Sequence, residues 1–373
     1  MKIHFDKVEN AVGFTVSNTK EGETTEVLTK AVITSDEPQF YQYIAQISTS
    51  FLNKNDICVD TVYQFLVIIH QDLSADIYVN DFQVVSEIVV KKDITKGDIV
   101  RESDIADIKS LKFPEIEIID TDKIIYCFKV GWKFGLFFDL DRRQPLALND
   151  LYQQIGALYR YLRFQYVYDL IEAKPHFEEI LKDGWFPFIA LLGNEYRILI
   201  EIYQDKYDFS NRLSNFVNSF DKTRLEKIIN KWWNKQIFQE KQQILEAGVK
   251  AYLIGTDQGI INCIKNLYSE IDGVIREQYF KNTGKGQYVK TNDLLQYVLN
   301  KGLQKSGADI SLFFPTQFFE YLRDIVFSNF DLGKRKFDLS RHSVCHGIAS
   351  ATAYTKMKAL QAILILDQIY FYI

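Results

Sequence analysis

The chain has 373 residues, 47% apolar and 25% charged, with a formal net charge of −5. That length is more than one hydrophobic core usually serves, so two domains joined by a helical connector are expected. The acidic balance excludes a protein coated along its whole surface by nucleic acid, which needs Lys and Arg in excess, and leaves only a short basic groove for any such contact.

The first ten residues, MKIHFDKVEN, lack the apolar stretch of a secretory signal. From there to residue 140 the chain reads as strand-rich. KIHFDKV and AVGFTVS, parted by Glu9-Asn10, suggest a hairpin, and TEVLTKAVI follows as a further strand. EPQFYQYIAQISTSF sets Phe40, Ile44, Ile47 and Phe51 near helical spacing behind a Ser-Asp-Glu-Pro start. TVYQFLVIIH, DFQVVSEIVV, EIEIID, KIIYCFKV and WKFGLFFDL return to short β-rich runs. Within this part, residues 89–109 resemble a small SAF-type β-clip segment, read as local geometry with no ligand attached.

The period changes at DLDRRQPLALND, the expected domain boundary. Leu151, Ile155, Leu158, Leu162, Tyr166 and Leu170 recur at helical steps, with Asn149 or Asp150 available as a cap. Helical patterns then run through PHFEEILKDGW, FPFIALLGNEYRILIEIYQ and the stretch from Thr223 to Tyr252. A long helix is expected from Gln242 to Phe280, with Glu270 and Asp272 set in an otherwise apolar run. KNTGKGQYVKTN is a loop by composition, and DLLQYVLNKGLQ and PTQFFEYLRDIVFSNF follow as helices. The last helix, TKMKALQAILILDQIYFYI, carries Met357, Leu360, Ile363, Leu364 and Ile369 on its buried side. Packed antiparallel, these helices make a bundle, and polar residues converging inside a bundle form its site.

The fold expected is therefore a two-part α+β protein. Residues 1–140 form a strand-rich α+β domain, 141–240 a helical connector and 241–373 a bundle of four or five helices. FPFIALLG and ALQAILIL are too short to span a bilayer. Cys58, Cys127, Cys263 and Cys345 form no CxxC pair, which argues against a disulfide framework or a cysteine zinc site and suits the cytoplasm.

Chemistry concentrates in LSRHSVCHG, just before the last helix. Arg341 and His346 stand in Arg-x4-His spacing, with His342 between them and Gly347 directly after. Arg335 and His342 make a second, looser match. Arginine offers phosphate a rigid fork of donors with a permanent charge. Histidine titrates in the range that proton transfer at neutral pH requires.

This arrangement is similar to the RxxxxH signature of HEPN domains. The likeness rests on Ser340 to Gly347, on Tyr354, Thr355, Ala359 and Leu360 downstream, and on LILDQI after them, and it covers residues 241–373. Ser340 stands where the family pattern has Asn, and Lys356 near a usual acidic or amide position. The resemblance implies a helical bundle and a metal-independent endoribonuclease of toxin or anti-phage defence systems. Its composite site is built by two copies of the chain, so RNA and a homodimer partner are implied, with no cofactor and no metal. His346 would transfer the proton and Arg341 would clamp the phosphate. His342 would orient the site or touch RNA, and Glu270 and Asp272 would match acidic positions that some members keep on the preceding long helix. The N-terminal part would then sense, regulate or position RNA, through a regulatory partner or ligand.

A plainer reading stands beside each residue. Arg341 and His346 can begin a solvated helix, with His346 satisfied by a backbone carbonyl; His342 can be a surface polar residue, and Glu270 and Asp272 an exposed helix face. Cys345 is most simply a small buried residue. Trp232 and Trp233, adjacent on a helix, cannot both join a stacking platform, and at least one belongs to the core. His4, His70 and His176 are isolated in sequence. There is no GxxxxGK[ST], HExxH, GxSxG or EF-hand pattern. From another function class, a HEPN domain that holds a nucleotide or partner without cleaving it fits the same residues, as does a plain interaction scaffold.

Overall fold

The structure, a computed structural model, describes residues 2–4, 14, 15, 17–28, 32–48, 57–140, 142, 144–286, 288–306, 310–329 and 339–373. The described residues form a strand-rich N-terminal region and a mostly helical C-terminal part. They fall into two compact units, residues 1–88 with 108–165 and residues 89–107 with 166–373. Among the described residues no helix is long and apolar enough to cross a membrane.

The first unit holds strands β1 (Lys2–His4), β2 (Phe14–Thr15), β3 (Val27–Leu28) and β4 (Val32–Thr34), then helix α1 (Pro38–Ile47). Strands β5 (Gln64–Ile69), β6 (Ser74–Val79), β7 (Val85–Val90), β8 (Ile105–Lys112), β9 (Lys123–Val130) and β10 (Lys133–Asp139) follow, and helix α2 (Leu148–Arg163) ends it. Six strands form one antiparallel sheet in the order β1-β6-β5-β9-β10-β4. β5 reads QFLVII without polar alternation because both its faces are covered. Phe65, Val67 and Ile69 share a core with Phe40 and Ile47 of α1. Leu66 and Ile68 are buried on the opposite face, where Tyr159 of α2 meets Phe128 of β9 at 6.0 Å between ring centroids. A methyl group on Gly156 of α2 would stand 2.6 Å from the Ser110 Cα of β8, so only glycine lets this helix lie on that strand.

Several local expectations change. Among the described residues β1 pairs with β6 and β2 with β3; Glu9-Asn10 and most of the expected hairpin lie outside the described residues. TEVLTKAVI splits into β3 and β4. EIEIID is not a strand: Pro114 stands one residue removed from the end of β8 and the segment turns, although Ile116 and Ile118 are buried. SADIYV, which the pattern left unread, is β6. In α1, Phe40 and Ile47 are buried and Ile44 half-buried, while Phe51 lies outside the described residues. The N-cap of α2 is Ala147, without a side-chain bond, and Asp150 sits in the first turn.

At one end of the sheet His70 lies between two carboxylates. Its Nδ1 is 2.8 Å from Asp122 Oδ1 and its Nε2 3.5 Å from Asp76 Oδ2. His70 is therefore not isolated. Burial would lower the imidazole pKa, but the bonds to Asp122 and Asp76 outweigh it and the value is raised. A raised folded-state pKa stabilises the fold fully below the ordinary histidine range and loses that contribution as pH climbs through the raised value. Urea denaturation across pH 5–9 is expected to show wild type losing stability relative to His70→Gln over that window; parallel profiles would refute this.

The second unit begins with residues 89–107, the tip of the ribbon that β7 and β8 make together. Its helices are α3 (Gln165–Glu172), α4 (Lys174–Lys182), α5 (Asn194–Gln204), α6 (Phe209–Asn218), α7 (Lys222–Ile229), α8 (Gln236–Glu240) and α9 (Gln242–Ile254). They continue with α10 (Asp257–Thr283), α11 (Thr291–Ser306), α12 (Pro315–Tyr321), α13 (Arg341–Cys345) and α14 (Lys356–Tyr372). Three bonds tie the ribbon tip down: Lys91 Nζ to Leu192 O at 2.6 Å, Arg197 to Glu102 at 3.1 Å, and Leu312 N–H to Asp107 Oδ1 at 3.1 Å. Burial pushes the Lys91 ammonium down to about 8.

The helical stretch 141–240 does not stand apart: α2 belongs to the first unit and the rest to the second. The run expected to be one helix from Gln242 to Phe280 breaks at Gly255, and Thr256 caps α10 by accepting the Gly259 N–H at 3.2 Å. α14 is buried on all sides rather than along one stripe, with only Met357 of the expected core set half-buried. It packs against α6, α9, α10 and α11. A helix so placed must satisfy its polar side chains internally. Asp367 accepts from Lys231 at 2.8 Å and from Trp232 Nε1 at 2.9 Å. Gln368 accepts the Ile189 N–H at 2.8 Å, and Gln361 donates to Asp183 O at 2.9 Å.

Candidate functional site

The RHSVC stretch forms a five-residue helix, α13, too short to persist by propensity alone. Both of its ends are closed by the sequence. At the start, the Ser343 N–H donates to Ser340 Oγ at 3.2 Å and the Ser340 N–H donates to Ser343 Oγ at 2.9 Å, a reciprocal capping box. At the end, the Gly347 N–H reaches Val344 O at 3.1 Å and the Ile348 N–H reaches Ser343 O at 3.0 Å. These are the two bonds of a Schellman motif, and Gly347 sits in the left-handed region at φ +71°, where a Cβ would be strained. Ser340 and Gly347 thus have backbone duties, and the chemistry is left to Arg341, His342 and His346.

Arg341 turns toward the middle of α10. Its Nη2 donates to Asp272 Oδ2 at 3.0 Å. Asp272 also receives Arg276 Nη2 at 3.2 Å and Arg276 Nε at 3.3 Å, so two guanidinium groups share one buried carboxylate and leave a surplus positive charge. Arg341 Nε is buried with no acceptor among the described residues. Arg276 further donates to Val289 O at 3.2 Å, joining α10 to the segment before α11. The sequence reading passed over Arg276, although its i,i+4 spacing from Asp272 marks it as that residue's helical neighbour.

Glu270 does not belong to this group. Two residues apart on a helix, Glu270 and Asp272 project about 160° from each other. Glu270 pairs instead with Lys241 at 2.9 Å, and Lys241 also meets Glu277 at 2.9 Å. Asp272 is buried in ion pairs and Glu270 is half-buried in one, so neither lies on a plain exposed face.

The spacing of the motif separates its members around α13. Arg341 and His346 lie five positions apart and project about 140° from each other, whereas His342 and His346 share a face. His346 is exposed and His342 half-buried. Burial holds the His342 imidazole below its ordinary range, the charges of Arg341 and His346 lower it further, and Asp272 pulls the other way. A neutral His342 suits hydrogen bonding or ring stacking better than holding a phosphate. It lines a cavity of about 480 Å³ with Thr291, Asn292, Arg323 and Phe327, among others. Phe327 stands edge-on to the His342 ring at 6.4 Å. Its N–H donates to Leu322 O at 2.7 Å, five residues back, closing the π-helical turn Leu322–Val326; such turns often occur at functional sites.

Cys345 is exposed rather than buried, because it points away from the packed side of so short a helix, and desolvation raises its thiol pKa. Trp232 is fully buried, as core packing requires, and Trp233 is half-buried. His4 and His176 are exposed, and Arg335 lies outside the described residues. Comparison of the chain with protein-family models, with curated proteins and with solved structures finds no match.

Proposed function

We propose that the C-terminal helices form a HEPN-type bundle acting as a metal-independent endoribonuclease, a toxin or defence effector working as a homodimer in the cytoplasm. The observation that carries this reading is the division of labour around α13. Arg341 is fixed on α10 by Asp272, while His342 and His346 occupy another face. One chain therefore offers proton transfer and phosphate binding on different sides of a helix, and a second copy would bring the complementary group to each.

In the reaction, His346 of one copy takes the proton from the ribose 2′-OH, and the freed oxygen attacks the adjacent phosphorus. The P–O5′ bond breaks, the leaving oxygen takes a proton from the second copy's imidazolium, and a 2′,3′-cyclic phosphate remains. Arg341 and Arg276, with one carboxylate between them, hold the surplus charge that the crowded phosphorane needs. Purified protein is expected to cut unstructured RNA in EDTA and leave cyclic phosphate ends, read by end-specific labelling.

A non-catalytic nucleotide- or partner-binding module is the second reading. It is favoured by the Asp272 ion pair, which already occupies Arg341, and by the acidic net charge of −5. Nucleotide binding without cleavage, surviving in an Arg341→Ala/His346→Ala double variant, would decide for it.

A further inference from the structure

We infer that the cleft at the C-terminal end of α10 is the base-binding subsite for single-stranded RNA, flanking the phosphate that Arg341 and His346 would hold. The inference rests on the ribonuclease reading and adds where the substrate lies. Asp272, Arg276, Phe280 and Thr283 follow one another at three- and four-residue steps, so one face of α10 runs from the Arg341 ion pair into the cleft. Arg276 and Phe280 are about 6 Å apart along the axis, within reach of a nucleotide next to the scissile one. Arg276 also bonds the backbone of Val289, which lines the cleft.

The cleft has a volume of about 990 Å³ and is walled by aromatic rings. Tyr279 and Tyr297 meet edge to face at 5.4 Å. Phe280 is 53% exposed and Tyr288 99% exposed. Tyr288 sits at φ +58°, a conformation that costs a bulky residue energy, and among the described residues nothing covers its ring. An aromatic face left in water under backbone strain is suited to stacking on a base, which any sequence of RNA supplies.

Charge adds one contact. Residues 276–290 carry Arg276, Lys281, Lys285 and Lys290 against Glu277, but Arg276 is paired with Asp272 and Lys281 with Glu240, so among the described residues the cation in the cleft's lining is Lys285. A phosphate beside a stacked base would meet Lys285, and the aromatic faces carry most of the grip. Asp293, at the rim, is the carboxylate that this phosphate must pass.

The test uses the full chain carrying His346→Ala, to prevent turnover, and a decamer of uridine with one 4-thiouridine. Tyr288→Ala and Phe280→Leu, which removes the aromatic face but keeps an apolar side chain, are each expected to weaken binding about 10-fold. Lys285→Glu should flatten the salt dependence, and photocrosslinks should map to Tyr288 or Phe280. Unchanged affinity in both ring variants, with RNA cleavage intact in the parent chain, overturns the subsite and leaves the ribonuclease standing. Crosslinking at the cleft by a parent chain that never cuts supports the subsite and sinks cleavage. Loss of the dimer in Tyr288→Ala with RNA affinity unchanged would assign the rings to a protein interface and overturn the inference.

Discussion

His346→Ala is expected to lower RNA cleavage by about 10²- to 10⁴-fold, the usual worth of a proton-transfer group, with no change in melting temperature. The separation of the two effects is what makes the variant informative. His346 is exposed, and the backbone bonds that close α13 do not depend on its side chain: its N–H donates to His342 O at 3.0 Å, and the closing bonds come from Gly347 and Ile348. Alanine keeps these backbone bonds, and substitution at an exposed position usually changes stability by about 0.5 kcal/mol or less. Arg341→Ala behaves differently, since it removes one of two cations from a buried carboxylate and should cost stability as well as activity. Single-turnover cleavage and thermal unfolding of both variants decide the matter. A His346→Ala chain that cleaves at the wild-type rate would remove the histidine from the chemistry and with it the ribonuclease reading.

The largest effect on stability is expected from Asp367→Ala, about 3–5 kcal/mol by urea denaturation. Asp367 is 1% exposed in the middle of α14 and holds two donors, the Lys231 ammonium and the indole N–H of Trp232. Removing the carboxylate leaves a largely buried cation and a fully buried N–H without their acceptor, and the cost lies in those orphaned groups more than in the lost pair. Asp367→Asn retains an oxygen for Trp232 and should lose less. Replacing both charges together, as Lys231→Met with Asp367→Leu, should recover most of the stability, because an apolar pair of similar size needs no compensation. A loss under about 1 kcal/mol in Asp367→Ala would mean that the lysine escapes to water along its flexible stem.

How much of this was legible in the chain follows from what each residue answers to. The change of period near residue 140 is real physics: among the described residues the last strand ends at Asp139 and the helical run begins at Leu148. β5 and β9 announced themselves as apolar runs because a sheet covered on both faces needs no polar alternation. β6 did not, since SADIYV mixes a charge with small residues and gains its place only by pairing with β1 and β5. The break at Gly255-Thr256 was readable as a helix stop followed by a cap, and apolar periodicity on both sides hid it.

In the candidate site, the Arg-x4-His spacing located α13, but spacing cannot say which carboxylate an arginine will find. Asp272 and Glu270 looked equivalent two positions apart, and helix geometry sends one to Arg341 and the other to Lys241. Likewise Gly347 is accounted for by a Schellman turn, so its presence after the histidine speaks for local structure and not for catalysis. Asp367 and Gln368, named in the sequence only within LILDQI, are buried in the last helix and held by partners from outside it.

The ribbon tip has one more consequence. The chain passes between the two units at residues 88–89, 107–108 and 165–166. These crossings fall inside β7, inside β8 and at the first residues of α3. Most domain junctions are exposed linkers that proteases nick readily; here each crossing is regular secondary structure. No single cleavage releases the helical unit whole, since a cut before α3 leaves Lys91, Glu102 and Asp107 on the other fragment from Leu192, Arg197 and Leu312. A helical fragment freed by one cut before α3 would therefore lack the ribbon tip, residues 89–107.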